Sequence, residues 1–280
     1  MVRDLLFGDG RLQFLEAPLA TTGDLLRVHT PNYVQSFLEA TLDTAVLRRI
    51  GFPWSPGLVT RTLASTGGTL AATKCAVENG CSGSVAGGTH HAFRHEGAGY
   101  CVFNDLAIST EWALQCTGVE RVAIIDLDVH QGDGTASIFE DNDRVFTFSV
   151  HGAHNFPFRK QCSTLDIALP DNATAAEYFP ALESGLKKVQ QFAPELILFQ
   201  SGVDALCTDR LGRLALTLED LAHRDQLVFA IAEAKRIPIV ITMGGGYSEP
   251  IQLTAEAHAQ TYRIAGQIFT QRAHVVSGSK

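Results

Sequence analysis

The chain has 280 residues, 45% of them hydrophobic and 19% charged, with a formal net charge of −8. This size and balance suit one α/β domain, or two smaller ones, with a large core; the negative charge argues against a general nucleic-acid binder or a ligand of anionic membranes. No apolar run approaches bilayer length, and the six scattered cysteines form no CxxC pair, so they read as reduced thiols in a cytoplasmic protein without a membrane or direct nucleic-acid partner.

Residues 1–50 read as helical, with Pro31 in a first turn and Tyr33, Val34, Phe37 and Leu38 recurring at helical spacing. Phe52 and Trp54 sit in a Gly- and Pro-rich loop, where they either line a pocket or pack beneath the loop. An alanine-rich helix is predicted over 58–78, stopped by Asn79-Gly80. Two glycine-rich segments follow, Gly87-Gly88-Thr89-His90-His91 and the run from Gly97 to Asp105; Asn104 and Asp105 read as turn or cap residues. A helix is expected over 106–116, a buried strand up to Ile125, a short helix over 135–140, and a second strand over 144–150. A long loop then carries His154, Phe156 and Phe158. The rest alternates: helix 177–192, strand 195–200, helix 218–235 capped by Thr217, strand 237–242, helix 250–270, and a tail expected to fray from Gln271.

Strand and helix alternate with no compositional break, which predicts a single-domain three-layer α/β/α fold with a mainly parallel sheet over 1–280. The residues that carry chemistry follow strand ends. Open parallel sheets bind ligands outside the carboxyl ends of their strands, so these motifs are expected to meet in one cleft.

The central motif is Ile124-Ile125-Asp126-Leu127-Asp128-Val129-His130-Gln131-Gly132-Asp133-Gly134. Strand alternation would point Asp126, Asp128 and His130 to one side, and three ionisable groups there call for a compensating cation. Asp128, His130 and Asp204 are the candidate ligands; one imidazole and two carboxylates suit catalytic Zn2+ and also Fe2+. A lone Asp-x-His is often only a strand-end pair. Its combination with Asp204 after another strand, His90-His91 and Gly244-Gly245-Gly246-Tyr247 points to a site. His151 and His154 read as loop or supporting residues, and His29, His95, His223, His258 and His274 as surface or internally satisfied histidines.

From about Leu25 onward these motifs, in this order, together with Gly99-Tyr100-Cys101-Val102-Phe103-Asn104-Asp105 and Gly202-Val203-Asp204, resemble the zinc-dependent histone deacetylase family and its arginase–deacetylase fold. Asp209-Arg210-Leu211-Gly212-Arg213-Leu214, with Arg224-Asp225, looks most like the class IV and bacterial members. The resemblance implies Zn2+ on Asp128, His130 and Asp204, activating water that attacks an amide carbonyl. It implies His91 as general base and then acid, His90 as its electrostatic partner, Asp133 orienting His91, Asp126 orienting His90, and Tyr247 donating to the developing oxyanion. Gly99, Tyr100 and Phe156 or Phe158 would wall a substrate channel. A structural K+ or Na+ would use Asp126, Asp128, His130, Ser149 and Val150, and a second site the carbonyls of Phe139, Asn142 and Val145.

The expected substrate is an acyl-lysine in peptide or protein, including long acyl chains, or a small acylated amine or polyamine. Two departures stand out. The family's usual N-terminal strand and loop, which contribute to the channel rim and an internal exit path, are expected to be missing. Pro53 stands in the loop where many members carry an acidic residue that grips the substrate backbone, which weakens a peptide substrate. Two alternatives are a ureohydrolase of the arginase type and a catalytically impaired acyl-ligand binding module. The first needs further aspartates where Gly132 and Leu206 stand; the second would be expected to have lost Tyr247, a histidine of the pair or a metal ligand, and none is lost.

Overall fold

A computed structural model describes residues 1–276, with side chains described through Phe269. Six strands, β1 (Cys81–Ser84), β2 (Val122–Asp126), β3 (Val145–Gly152), β4 (Leu165–Leu169), β5 (Leu196–Gln200) and β6 (Ile239–Thr242), form one sheet in the order β1-β6-β5-β2-β3-β4. Every neighbouring pair is parallel. The helices are α1 (Val2–Leu6), α2 (Thr22–Leu25), α3 (Pro31–Leu38), α4 (Thr44–Ile50), α5 (Pro56–Asn79), α6 (Asp105–Cys116), α7 (Asp133–Phe139), α8 (Ala175–Phe192), α9 (Leu218–Lys235) and α10 (Ile251–Val276).

The central strands are covered on both faces, which is why they read as unbroken apolar runs. Ile124, Leu196, Leu198 and Val240 point into one core with Phe37, Leu58, Phe103 and Leu106 from the α3, α5 and α6 side. Ala123, Ile125, Ile197, Phe199, Ile239 and Ile241 point into the other, against Leu182 and Leu186 of α8, Phe229 of α9 and Tyr262 of α10. Burial of each such Ile or Leu contributes about 2 kcal/mol, so the sheet plane is fixed firmly. The result is the predicted three-layer sandwich.

Several local expectations change. The first 50 residues form four short helices rather than a continuous helical region, and 26–30 is a turn between α2 and α3. Two strands were not anticipated. β1 is Cys-Ser-Gly-Ser, with no apolar run, and is held by pairing with β6 at the sheet edge. β4 has a clean two-residue alternation of Leu165, Ile167 and Leu169 against exposed neighbours, the signature of an edge strand covered on one face. β3 runs on to Gly152, so His151 belongs to the strand rather than to the loop. The last helix continues to Val276, past the expected end at 270; residues 277–280 and the His274 side chain lie outside the described parts.

β2 ends at Asp126. Asp128 and His130 therefore lie on a bend beyond the strand, and strand alternation does not explain their shared direction. They are gathered by hydrogen bonds instead. All six cysteines are free, as expected. Cys101 is buried, with burial pushing its thiol well above the usual range, and Cys207 is exposed; neither belongs to the ligand cluster below. Among the described residues no helix is long and apolar enough to cross a membrane.

Candidate active site

The carboxyl ends of the adjacent strands β6, β5 and β2 open into one cavity of about 560 Å³, a size typical of small-molecule sites. Its lining includes His90, His91, Gly99, Tyr100, Asp128, His130, Phe156, Phe158, Asp204 and Tyr247.

At its floor Asp128, His130 and Asp204 bring one ligand atom each within 4.8 Å of one another. His130 Nδ1 is 3.0 Å from Asp128 Oδ1 and 3.0 Å from Asp204 Oδ2. The remaining carboxylate oxygens are fixed by backbone donors: Gly245 N–H to Asp128 Oδ2 at 2.7 Å and Val129 N–H to Asp204 Oδ1 at 2.8 Å. A side chain at Gly245 would put its Cβ 2.2 Å from Asp204 Oδ2, so the glycine-rich strand end is needed for this close approach.

The cluster carries more negative charge than its surroundings neutralise. Burial and the neighbouring Asp128 push Asp204 up to about 7. Burial opposes charge on His130, yet the two carboxylates hold its pKa up, to about 11. Two buried acids that demand a proton between them fit a divalent cation in its place. Among the described residues this is the one such group, and Gly132 and Leu206 supply no ligands for a second ion.

Two histidines stand beside the cluster. His90 Nδ1 donates to Asp126 Oδ2 at 2.7 Å, and His91 Nδ1 donates to Asp133 Oδ1 at 2.7 Å. Their rings are 4.1 Å apart, but their environments diverge. Burial works against a charged His90, and the Asp126 and Asp128 carboxylates overcome it, raising its pKa to about 9. Burial, reinforced by the neighbouring His90, lowers His91 to about 4. One imidazole thus favours a charge and the other stays neutral, the division a base needs.

Above them the cavity is walled by Tyr100, Phe156 and Tyr247. Phe156 lies edge-on to His91 at 4.9 Å, and Lys160 pins its loop by donating to the Asn155 and Pro157 carbonyls. Phe158 is 90% exposed and stands at the rim. Gly99, at φ +52°, would carry a Cβ only 2.7 Å from His91 Cδ2. Tyr247 is held by its backbone N–H to Asp209, and its hydroxyl has no hydrogen-bond partner among the described residues. The Phe52 ring packs tilted against Tyr100, centroids 5.2 Å apart, and Trp54 donates to the Phe37 carbonyl, so these loop aromatics brace the wall from behind.

The other expected positions fall as follows. Asp126 pairs with Ser149 in the β2–β3 register, next to a gap of about 10 Å³ between Asp126, Thr147 and Ser149; Val150 follows in β3. Ser149 Oγ is bonded to His151. Phe139, Asn142 and Val145 share one turn, in which the Phe139 and Asn142 carbonyls each accept a backbone N–H. His154 pairs with Asp171 at the mouth. Asn104 caps α6, and Asp105 accepts from Gly88 N–H, Thr89 N–H and both the Thr69 and Thr89 hydroxyls, holding the His90–His91 loop.

Three supporting residues were missed in the sequence. Gln200 donates to the Gly88 carbonyl at 2.8 Å. His258 lies beneath the Gly244–Gly246 segment, with Nδ1 unpaired. Arg224 is buried and reaches the carbonyls of Leu127, Ser201 and Gly202 beside the Asp128–His130–Asp204 cluster. A charged residue in a buried helical stripe (Leu221, Arg224, Asp225, Val228) is a signal that could have given Arg224 this role; Gln200 and His258 had none.

A parallel three-layer sheet with two carboxylate-bound histidines over an Asp-His-Asp cluster at adjacent strand ends defines a class, and the chain belongs to it: it is a hydrolase of the histone deacetylase family. The model of the histone deacetylase domain matches residues 4–264. An uncharacterised protein of Picosynechococcus is 41% identical over 273 residues, spanning 96% of this chain and 91% of that protein. A histone deacetylase-like amidohydrolase of Pseudomonas aeruginosa is 32% identical over 258 residues, spanning 85% of this chain and 67% of the relative. Among solved structures, an HDAC homologue complexed with SAHA matches with a TM-score of 0.78 and 26% identity, over 95% of this chain and 75% of that one.

Proposed function

We propose that residues 1–280 form one catalytic domain, cytoplasmic in location, that hydrolyses the amide of an acylated amine: acetyl- or longer acyl-lysine in protein, or a small acylated amine. The observation that carries this reading is the juxtaposition of a cation-demanding Asp128–His130–Asp204 cluster with neutral, Asp133-bound His91 at the floor of one cavity. The binding of SAHA by a structural relative points to a channel of the same kind.

A divalent ion, Zn2+ or Fe2+, on Asp128, His130 and Asp204 would supply Lewis acidity to the carbonyl and to water. His91 takes the proton from the attacking water at Nε2, since Nδ1 is engaged with Asp133. It then returns that proton to the amine as the C–N bond breaks. His90, charged against Asp126, stabilises negative charge gathering nearby. The free hydroxyl of Tyr247 donates to the oxygen of the former carbonyl as it becomes an oxyanion, a contribution of about 3 kcal/mol for one such donor. Tyr100 and Phe156 hold the acyl-bearing chain between aromatic faces. A K+ or Na+ beside Asp126 and Ser149 would brace the strand end that carries the ligands.

The test is turnover by purified zinc-loaded protein on acetyl-lysine, long-acyl-lysine and acetylpolyamine substrates. Release of free amine from at least one supports the reading. One bound zinc with no turnover of any of them would favour the binding module, and an Asp204→Ala protein that kept metal and activity would remove the ligand assignment.

A further inference from the structure

The mouth of the cavity has a charge that the proposed chemistry does not use. Four arginines line it, Arg48, Arg49, Arg61 and Arg213, whereas the carboxylates in the lining are Asp128 and Asp204 at the floor. This stands out in a chain of net charge −8. Two of the four are matched: Arg49 pairs with Glu96 at 2.5 Å, and Arg213 with Asp171 at 3.0 Å. Arg48 and Arg61 have no carboxylate partner among the described residues, and both are exposed.

Their placement is built into the wall. The segment 48–51 runs along the channel glycine and tyrosine: Gly99 N–H donates to the Arg49 carbonyl at 3.0 Å, and Tyr100 N–H to the Ile50 carbonyl at 2.8 Å. Arg61, on α5, lies 5.0 Å above the Phe52 ring, which packs tilted against Tyr100. Arg61 is also near enough to Tyr247 for its charge to act on that hydroxyl. Two unmatched guanidiniums thus flank the entrance on the Tyr100–Tyr247 side, while the loop Phe52-Pro53-Trp54 offers no carboxylate to a cationic or amide-bearing substrate. Guanidinium forks match carboxylate geometry, and a rim of one sign steers ligands of the other.

We infer that this mouth selects acylated amines that carry a carboxylate on the part of the molecule left outside the channel, and disfavours cationic ones such as acylpolyamines or lysine- and arginine-rich tails. The inference rests on the deacylase reading for its substrate class. The carboxylate comes either from acidic residues flanking an acyl-lysine or from the α-carboxylate of a free acyl-lysine.

The experiment uses three acetyl-lysine peptides, identical except for Glu, Gln or Lys at the flanking positions, and Nα-blocked acetyl-lysine as free acid and as carboxamide. Both kcat/KM with zinc and Kd by calorimetry are measured at low and high salt. The Glu peptide is expected to exceed the Lys peptide by about 10-fold or more at low salt, with the gap shrinking as salt screens exposed charges. The same gap should close in an Arg48→Gln/Arg61→Gln protein. A free acid preferred over its carboxamide, without a Glu-peptide preference, assigns the rim to small substrates. Turnover of the Gln peptide with none of these preferences, or with the Lys peptide favoured, overturns the inference and leaves the deacylase reading intact. A preference that persists in the double variant overturns the assignment to these arginines. Tighter binding of the acidic ligands without any turnover upholds the rim and removes the deacylase reading.

Discussion

Arg224→Met removes a cation that no solvent touches. The guanidinium sits 2.8 Å from Asp225 through both Nε and Nη2, and donates to the Gly202 carbonyl at 2.6 Å, Ser201 at 3.1 Å and Leu127 at 3.4 Å. Among the described residues, Asp225 keeps only the Thr261 hydroxyl afterwards. Breaking a buried ion pair by removing one partner costs about 3–5 kcal/mol, and each orphaned buried carbonyl about 1 kcal/mol more. With three carbonyls orphaned, we therefore expect a loss of roughly 6–8 kcal/mol, a large part of the stability of a typical domain. Urea unfolding of the metal-free protein measures it. An Arg224→Met/Asp225→Leu protein removes the stranded carboxylate and should recover the ion-pair share, about 3 kcal/mol, but not the carbonyl share. Zinc affinity should also fall by about 10- to 100-fold, because Gly202 packs directly against Asp128 and Leu127 precedes it. A single variant within about 1 kcal/mol of the parent, or a double variant no more stable than the single, would refute this account of Arg224.

Asp133→Asn should cut kcat by about 10²–10⁴-fold with zinc still bound, since the tautomer of His91 would no longer be fixed; steady-state kinetics with a metal count checks it. Tyr247→Phe should lower kcat by about 10²–10³-fold with little change in stability, because the hydroxyl has no hydrogen-bond partner among the described residues. Gly99→Ala should impair turnover while leaving bound zinc unchanged, as the new methyl meets His91 and Phe156, 2.7 and 3.0 Å from the Cβ position; undiminished kcat/KM would contradict the channel assignment. His29 gives a pH dependence. It is neutral in the fold, donating from Nδ1 to the Phe93 carbonyl and accepting the Asn104 N–H at Nε2, and burial lowers its pKa to about 4. Between that value and the ordinary 6.5 the unfolded chain binds the extra proton. This stability is therefore full above pH 6.5 and declines by about 3 kcal/mol as pH falls to 4. Urea titrations across that range should show a loss about 3 kcal/mol smaller in His29→Gln than in the parent, since His91, His151 and His258, also depressed by burial, contribute equally to both.

The sequence alone determined the layered fold and the chemical inventory. Unbroken runs such as Leu196-Ile197-Leu198-Phe199 must be buried on both faces, and that forces a parallel sheet between helices. Metal-ligand and base residue types at the ends of such runs could be read without coordinates, because the ends of parallel strands share one side of the sheet. The edge strands were harder. β1 has no apolar pattern of its own and exists through its partner β6, while the alternation of β4 was present but short.

Only the tertiary structure decided the rest. The shared direction of Asp128 and His130 comes from Gly245 and Asp204, which lie about 75 to 117 positions further along the chain, and not from the strand that precedes them. Gln200 and His258 support the site through contacts with no local signature. The arginine rim is assembled from three separate segments, in a chain whose overall charge has the opposite sign. Periodicity and residue chemistry are local properties and survive in a string of letters. Charge at a mouth, a neutral histidine beside a charged one, and a cation buried among carbonyls depend on which distant groups exclude water together, and folding alone sets that.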